Sequence, residues 1–177
     1  MGKGGYKLIP VLLWEDEQRD HGKEMEDWRG ARFKSEYLPL VRPFSAVPDL
    51  LKRVREPGVK IAIGTSAKKD ELGRYLDIAR IADLVDVTAS SEDAEESKPA
   101  PDIFEVVLKK LQIEGRDAVA IGDTPYDVSA AGKAGSATIG GLSGGFTAAS
   151  LREAGCADVY PGPAALFARF KDSVFAK

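Results

Sequence analysis

Ala118-Val119-Ala120-Ile121-Gly122-Asp123-Thr124-Pro125-Tyr126-Asp127 is the stretch on which the fold turns. Ala118 to Gly122 is a short apolar run of strand character, and Tyr126 to Ala134 is a small-residue helical segment that Gly135 ends. Asp123 therefore falls at the mouth of a buried strand. A carboxylate there is costly unless something pairs with it. Mg²⁺ suits the position, because it takes hard oxygen ligands and is held by one or two carboxylates plus substrate phosphate. Asp127, four residues on at the start of the helix, is placed to hold a nearby water or a lysine. A plainer reading stays open, in which both carboxylates only cap the helix and favour its positive end.

Working outward, helix-period and strand-like segments alternate. Val47 to Glu56 is amphipathic, with Val47, Leu50, Leu51 and Val54 on one face, and Pro57-Gly58 stops it. Val59 to Thr65 predicts a buried strand, Lys68 to Ile81 a helix, and Leu84 to Thr88 a weaker strand. Asp102 to Leu111 predicts a helix with Ile103, Val106, Val107 and Leu111 facing inward. Ala137 to Ile139 follows as a strand. Thr147 caps a short helix that ends at Gly155, Asp158 to Tyr160 is an edge strand, and Ala164 to Phe175 is a last helix. Such alternation predicts an α/β fold, a Rossmann-like doubly wound parallel sheet, whose ligands sit at the carboxyl ends of the strands. Residues 1–40 read differently: charged and helical, with Trp14, Met25, Trp28 and Phe33 as scattered apolar points. Leu38 to Phe44, with two prolines, reads as a connector. The division expected is 1–40 and 41–177.

Two further strand-end or loop segments carry chemistry. Lys98, in Ser97-Lys98-Pro99-Ala100-Pro101-Asp102, is a point charge presented between prolines, suited to a phosphate or to carboxylates. Thr65, in Gly64-Thr65-Ser66, offers a hydroxyl and a backbone N–H to a phosphate oxygen. Alone, each also reads as an ordinary loop residue.

Together, in this order and spacing, the three segments resemble the haloacid-dehalogenase-like phosphatases. Ile61-Ala62-Ile63-Gly64-Thr65-Ser66 is similar to that family's second motif, Ser97 to Phe104 to its third, and Ile121 to Val128 with Ala130 to Gly135 to its fourth. The resemblance is nearest to the phosphoglycolate-phosphatase and β-phosphoglucomutase branch, whose helical cap Gly2 to Gly5 and the following helical segment resemble in its later part. It implies phosphoryl transfer from a small phosphorylated metabolite to an aspartate, then hydrolysis of the aspartyl-phosphate. It also implies Mg²⁺ as cofactor. By resemblance, Lys98 and Asp127 are catalytic: Lys98 neutralises nucleophile and phosphate, and Asp127 orients the cluster. Thr65 and Ser66 join Lys98 in binding phosphate, and Asp123 holds the metal.

The family's first motif is an apolar strand ending in Asp-x-Asp, and no Asp-x-Asp occurs in the 177 residues. Leu8-Ile9-Pro10-Val11-Leu12-Leu13-Trp14-Glu15-Asp16-Glu17 is the nearest imitation, but Pro10 suits a central strand poorly and its acids are misplaced. In this family the first-motif strand lies between the strands ending at Thr65 and Asp123, so without it two edges would face a gap. The expectation is a fragment of a longer protein that is inactive as it stands. The others are a gap closed by another segment or subunit, and a catalytically dead relative that binds phosphate or Mg²⁺ or serves as a scaffold.

Composition excludes several other classes. With 25 basic and 28 acidic residues the net charge is −3, and no basic stripe marks a nucleic-acid surface. One cysteine, Cys156, and one histidine, His21, make neither a disulfide framework nor a Cys/His zinc site. No apolar run is long enough to span a bilayer and no signal core is visible, so a cytoplasmic protein is expected. Gly140-Gly141-Leu142-Ser143-Gly144-Gly145 lacks the Gly-Lys-Ser/Thr of a nucleotide-binding loop and reads as a flexible loop near the site. Glu92 to Glu96 reads as a solvated acidic loop.

Overall fold

The computed structural model describes residues 15–176. The Leu8 to Trp14 run and Gly2 to Gly5 lie outside them. Glu15 to Glu17 are helical, within helix α1 (Glu15–Arg32), so those acids do not end a strand. No residue from Asp20 to Arg32 is fully buried, and Met25 and Trp28 are exposed. One π-helical turn (Phe33–Tyr37) and a 3₁₀ turn (Leu38–Leu40) follow, and the chain then runs without regular structure to Phe44, as the prolines require.

The rest is an alternating α/β array. Helix α2 (Val47–Arg55) buries Leu50 and Val54, four apart on one face, and the Pro57-Gly58 turn ends it with Gly58 at φ 88°. Strand β1 is only Ala62–Gly64. It begins later than expected because the Ile61 N–H goes to the Asp86 carboxylate at 2.7 Å, while Val59 and Lys60 are exposed. Helix α3 (Lys69–Ala79) ends where Arg80 turns left-handed. A 3₁₀ turn (Ala82–Leu84) delays strand β2 to Val87–Ala89. Helix α4 (Asp102–Leu111) buries Ile103, Val107 and Leu111 as the periodicity predicts. Strand β3 (Val119–Gly122), helix α5 (Pro125–Lys133), strand β4 (Ala137–Gly141), helix α6 (Ala148–Glu153) and strand β5 (Asp158–Tyr160) follow. Thr147 caps α6, its Oγ1 accepting from Ser150 N at 3.1 Å.

The last segment differs from the expected single helix. Helix α7 covers only Pro163–Ala168, and two 3₁₀ turns, Phe170–Asp172 and Val174–Ala176, complete it. The Ser173 hydroxyl donates to Phe170 O at 2.6 Å and accepts from Phe175 N, a local turn that competes with a continuing helix.

All strand pairings are parallel, but they form two sheets. One is β1–β2, with Ala62 opposite Val87; the other has the order β3–β4–β5, with Ile121 opposite Ile139 and Gly140 opposite Val159. Among the described residues, no strand pairs with the second edge of β1 or of β3. A core cluster joins the halves: Leu50, Val54 and Ile61 pack with Ile139, Tyr160, Leu166 and Phe170. A second cluster seats α4 on the β1–β2 sheet. Cover is incomplete at β3, where Ile121 is 52% exposed although its register partner Ile139 is 1% exposed.

Candidate functional site

The carboxyl ends of β1 and β3 and the loop before α4 carry the predicted residues. Thr124 is the N-cap of α5, and with Asp127 it forms a capping box. Asp127 N donates to Thr124 Oγ1 at 3.2 Å, and the Asp127 carboxylate accepts from Thr124 N at 3.1 Å and Thr124 Oγ1 at 2.7 Å. Asp127 is 6% exposed, and its other oxygen accepts from Lys98 Nζ at 2.6 Å. The plain and the chemical readings of Asp127 thus describe one arrangement, in which capping aims the free oxygen at the lysine. Gly122 permits it, since a Cβ there would overlap the Asp127 side chain.

Lys98 follows Ser97 in a loop anchored at several points. Glu96 N donates to Asp102 at 2.9 Å, and Lys133 Nζ donates to Pro99 O at 2.9 Å. The acidic stretch before it is exposed, yet Asp93 is a structural anchor rather than a merely solvated charge. Its carboxylate accepts from Ser90 N, Ser90 Oγ and Lys110 Nζ, each at 2.9 Å. These bonds, led by the Ser90 N–H, hold the Asp93 carboxyl well below the usual carboxylate range.

Thr65 differs from expectation in one respect. Its backbone N–H is not free: it donates to Ala89 O at 3.0 Å and prolongs the β1–β2 ladder. The Thr65 hydroxyl accepts from Ala67 N at 3.1 Å and keeps its own proton to donate. The Ser66 N–H meets no acceptor among the described residues. The backbone donor left at this strand end is that of Ser66, the residue that the resemblance pairs with Thr65.

Thr65, Ser66 and Lys98 share the wall of a cavity of about 570 Å³. Its opposite wall comes from α1 and the π turn, with Glu26, Asp27, Arg29 and Lys34. Lys34 reaches the core, meeting Asp70 at 2.8 Å and Glu71 at 3.5 Å. Asp123 and Asp127 are not part of this wall, and Lys98 connects them to it through its bond to Asp127.

Asp123 does not cap the helix. It is half-buried, and its Oδ2 accepts from Ser143 Oγ at 2.9 Å. The glycine-rich segment around Ser143 is packed on it rather than loose: a Cβ on Gly144 would overlap Asp123 O. Ser143 had no recognisable motif in the sequence, and only the folded loop brings it to Asp123. A hard divalent cation fits Asp123, which has no ion-pair partner among the described residues and whose Oδ1 accepts no hydrogen bond from them. No group of three or more His, Cys, Asp or Glu side chains gathers there among the described residues, so water and phosphate oxygens would complete the shell.

Elsewhere, Cys156 is buried, its thiol donating to Thr138 O and Asp158 O, and burial pushes its pKa up. His21 is exposed on α1.

The strand ends of this parallel α/β array thus carry a lysine–aspartate pair and a hydroxyl-bearing loop. Residues 11–140 match the haloacid dehalogenase-like hydrolases, and the chain belongs to that family. It is 30% identical to the phosphoglycolate phosphatase of Aquifex aeolicus over 143 residues, 76% of this chain and 62% of the relative. It is 29% identical to the pyrophosphatase PpaX of Bacillus pumilus over 101 residues, 57% of this chain and 47% of the relative. A hydrolase from Pseudomonas syringae has the same fold, with a TM-score of 0.81 at 23% identity over 97% of this chain and 80% of that one. The chain spans 40% to 62% of the length of the first curated relatives it matches. No helix among the described residues is long and apolar enough to cross a membrane.

Proposed function

We propose that this chain forms the phosphate- and cation-holding part of a Mg²⁺-dependent phosphatase of small phosphate monoesters. One observation carries the reading: Lys98 lines the same cavity as Thr65 and Ser66 while its ammonium rests on the buried Asp127. A phosphoryl group seated there meets the Thr65 hydroxyl, the Ser66 N–H and the Lys98 charge together, and positioning plus charge is most of what phosphoryl transfer asks of a protein. Asp127 keeps Lys98 in place, and Asp123 holds the cation. Bound Mg²⁺ would neutralise charge on the phosphate. The cavity is of a size for a small ligand. Phosphoglycolate and pyrophosphate, named for the relatives, are substrates to try first, with sugar phosphates and nucleotide monophosphates beside them. Residues 1–40 act as part of a helical cap over the 41–177 core. The protein is cytoplasmic and its partner is the metabolite, with neither nucleic acid nor membrane.

The reaction class needs an aspartate nucleophile, and the 177 residues hold no Asp-x-Asp to supply it in the family's manner. The chain by itself therefore binds without turning over. The purified chain with Mg²⁺ and p-nitrophenyl phosphate should release no phosphate above background, while inorganic phosphate with Mg²⁺ should raise its unfolding midpoint. Robust Mg²⁺-dependent hydrolysis overturns the first expectation. An unchanged midpoint, alike in wild type and Lys98→Ala, overturns the phosphate site. The missing Asp-x-Asp favours a second reading, a non-catalytic phosphate- or Mg²⁺-binding or scaffold protein on the same fold. Phosphate binding that persists without turnover, in a full-length form carrying every residue of the gene, would select it.

A further inference from the structure

We propose that Ser143 is a positioning residue for the Asp123 carboxylate, holding Oδ2 and leaving Oδ1 to a divalent cation. The inference rests on the reading of Asp123 as the cation-holding side chain. The arrangement begins in the sheet. Gly122 on β3 is paired with Gly140 on β4, so the two strands end side by side. The chain leaving β4 then folds into a 3₁₀ turn, Leu142–Gly144, closed by Gly145 at φ 80°. That turn lies on Asp123. A Cβ on Gly144 would overlap the Asp123 carbonyl oxygen, and a Cβ on Gly141 would stand 3.8 Å from Asp123 Cβ. Only a glycine at 144 lets the backbone approach this closely, and the approach places Ser143 Oγ 2.9 Å from Asp123 Oδ2.

A half-buried carboxylate with, among the described residues, one neutral hydrogen bond and no ion-pair partner is under-compensated. Asp127, in contrast, has Lys98 and both Thr124 donors. The Ser143 hydroxyl fixes the rotation of the Asp123 carboxylate without neutralising it, which is what a group must do to orient a cation ligand from behind. If Ser143 served only the packing of the turn, its loss would lower stability and leave cation uptake alone.

The test is a Mn²⁺ titration of the full chain, read by the loss of the free-ion paramagnetic resonance signal, with thermal unfolding measured alongside. Wild type, Ser143→Ala, Ser143→Thr and Asp123→Asn are compared. The expected result is a roughly 10- to 100-fold loss of affinity in Ser143→Ala. Ser143→Thr should restore most of it, the unfolding midpoints of the two should match wild type, and Asp123→Asn should lose uptake altogether. Wild-type affinity in Ser143→Ala, with uptake lost in Asp123→Asn, overturns the inference and leaves the reading of Asp123 standing. Wild-type affinity in Asp123→Asn overturns that reading and the inference with it, as does a wild-type chain that takes up no Mn²⁺.

Discussion

Lys98 and Asp127 occupy a position where stability and chemistry share the same atoms. Lys98 is 12% and Asp127 9% exposed at the side chain, and their contact is 2.6 Å. Removing one partner of such a pair leaves the other charge poorly solvated. Lys98→Ala should therefore cost about 1.5–3 kcal/mol, the range for hydrogen bonds to charged groups, together with phosphate binding. Urea unfolding beside phosphate titration would check both. Asp123→Asn should instead lose cation uptake at almost no cost in stability, since its tie to the fold is one hydrogen bond to an exposed serine. Gly122→Ala tests the support: its new Cβ meets Asp127, so both the capping box and the lysine contact should loosen and the unfolding midpoint should fall. An unchanged midpoint would mean that α5 shifts to absorb the methyl group. At this scale the sequence was informative about identity and silent about partnership. Asp123, Asp127, Lys98 and Thr65 stand out by residue type and place. Nothing in the one-dimensional pattern connects Ser143 to Asp123, or shows that the Thr65 N–H is already engaged, because both depend on neighbours across the sheet.

Elements were legible where local periodicity agrees with burial. Helix α4 spans Asp102–Leu111 as read from its apolar spacing, and Thr147 caps α6 as its residue type suggests. Disagreement came where side chains take over backbone groups. Asp86 claims the Ile61 N–H and shortens β1, and Ser173 turns the last segment away from a helix. Asp93 makes a similar local claim on the loop that leads to Lys98, and its acidity gives a test. Its carboxyl, like that of Asp86, titrates lower in the folded chain than in the unfolded one. Both therefore contribute stability that is complete above the unfolded-state value near 4 and is lost as pH falls below it. Thermal unfolding scans should show the midpoint dropping across that acid range, and Asp93→Asn should start lower at neutral pH and fall less steeply. Parallel curves for the two proteins would remove Asp93 from the account.

Over the whole molecule, the division of the sheet matters most. Parallel pairing within each half follows from the alternating pattern, and a central gap was expected from the missing first motif; among the described residues the two sheets share no strand pairing. The join between the halves was not legible: a single sequence does not say that one apolar cluster from α2 to Phe170 would hold them together while Ile121 stays half-exposed. An apolar strand edge with no partner among the described residues invites pairing between copies. Ile121→Thr should reduce self-association at high protein concentration, seen by analytical ultracentrifugation, with little loss of stability, because the residue it replaces is 52% exposed. Unchanged association would show that the edge is not where copies meet.

The same division has a consequence for how the chain is wired. Among the described residues, each sheet is built from one uninterrupted stretch of sequence, residues 62–89 for one and 119–160 for the other, and α4 belongs with the first. The polypeptide crosses from one half to the other through the short link after Leu111, where Gln112 turns left-handed and Ile113 is exposed. A backbone nick after Ile113 would sever no strand ladder. Co-expressed as two pieces, the chain should reassemble through the α2–α7 cluster and the Lys98–Asp127 contact, and the reunited fraction should fall in Lys98→Ala.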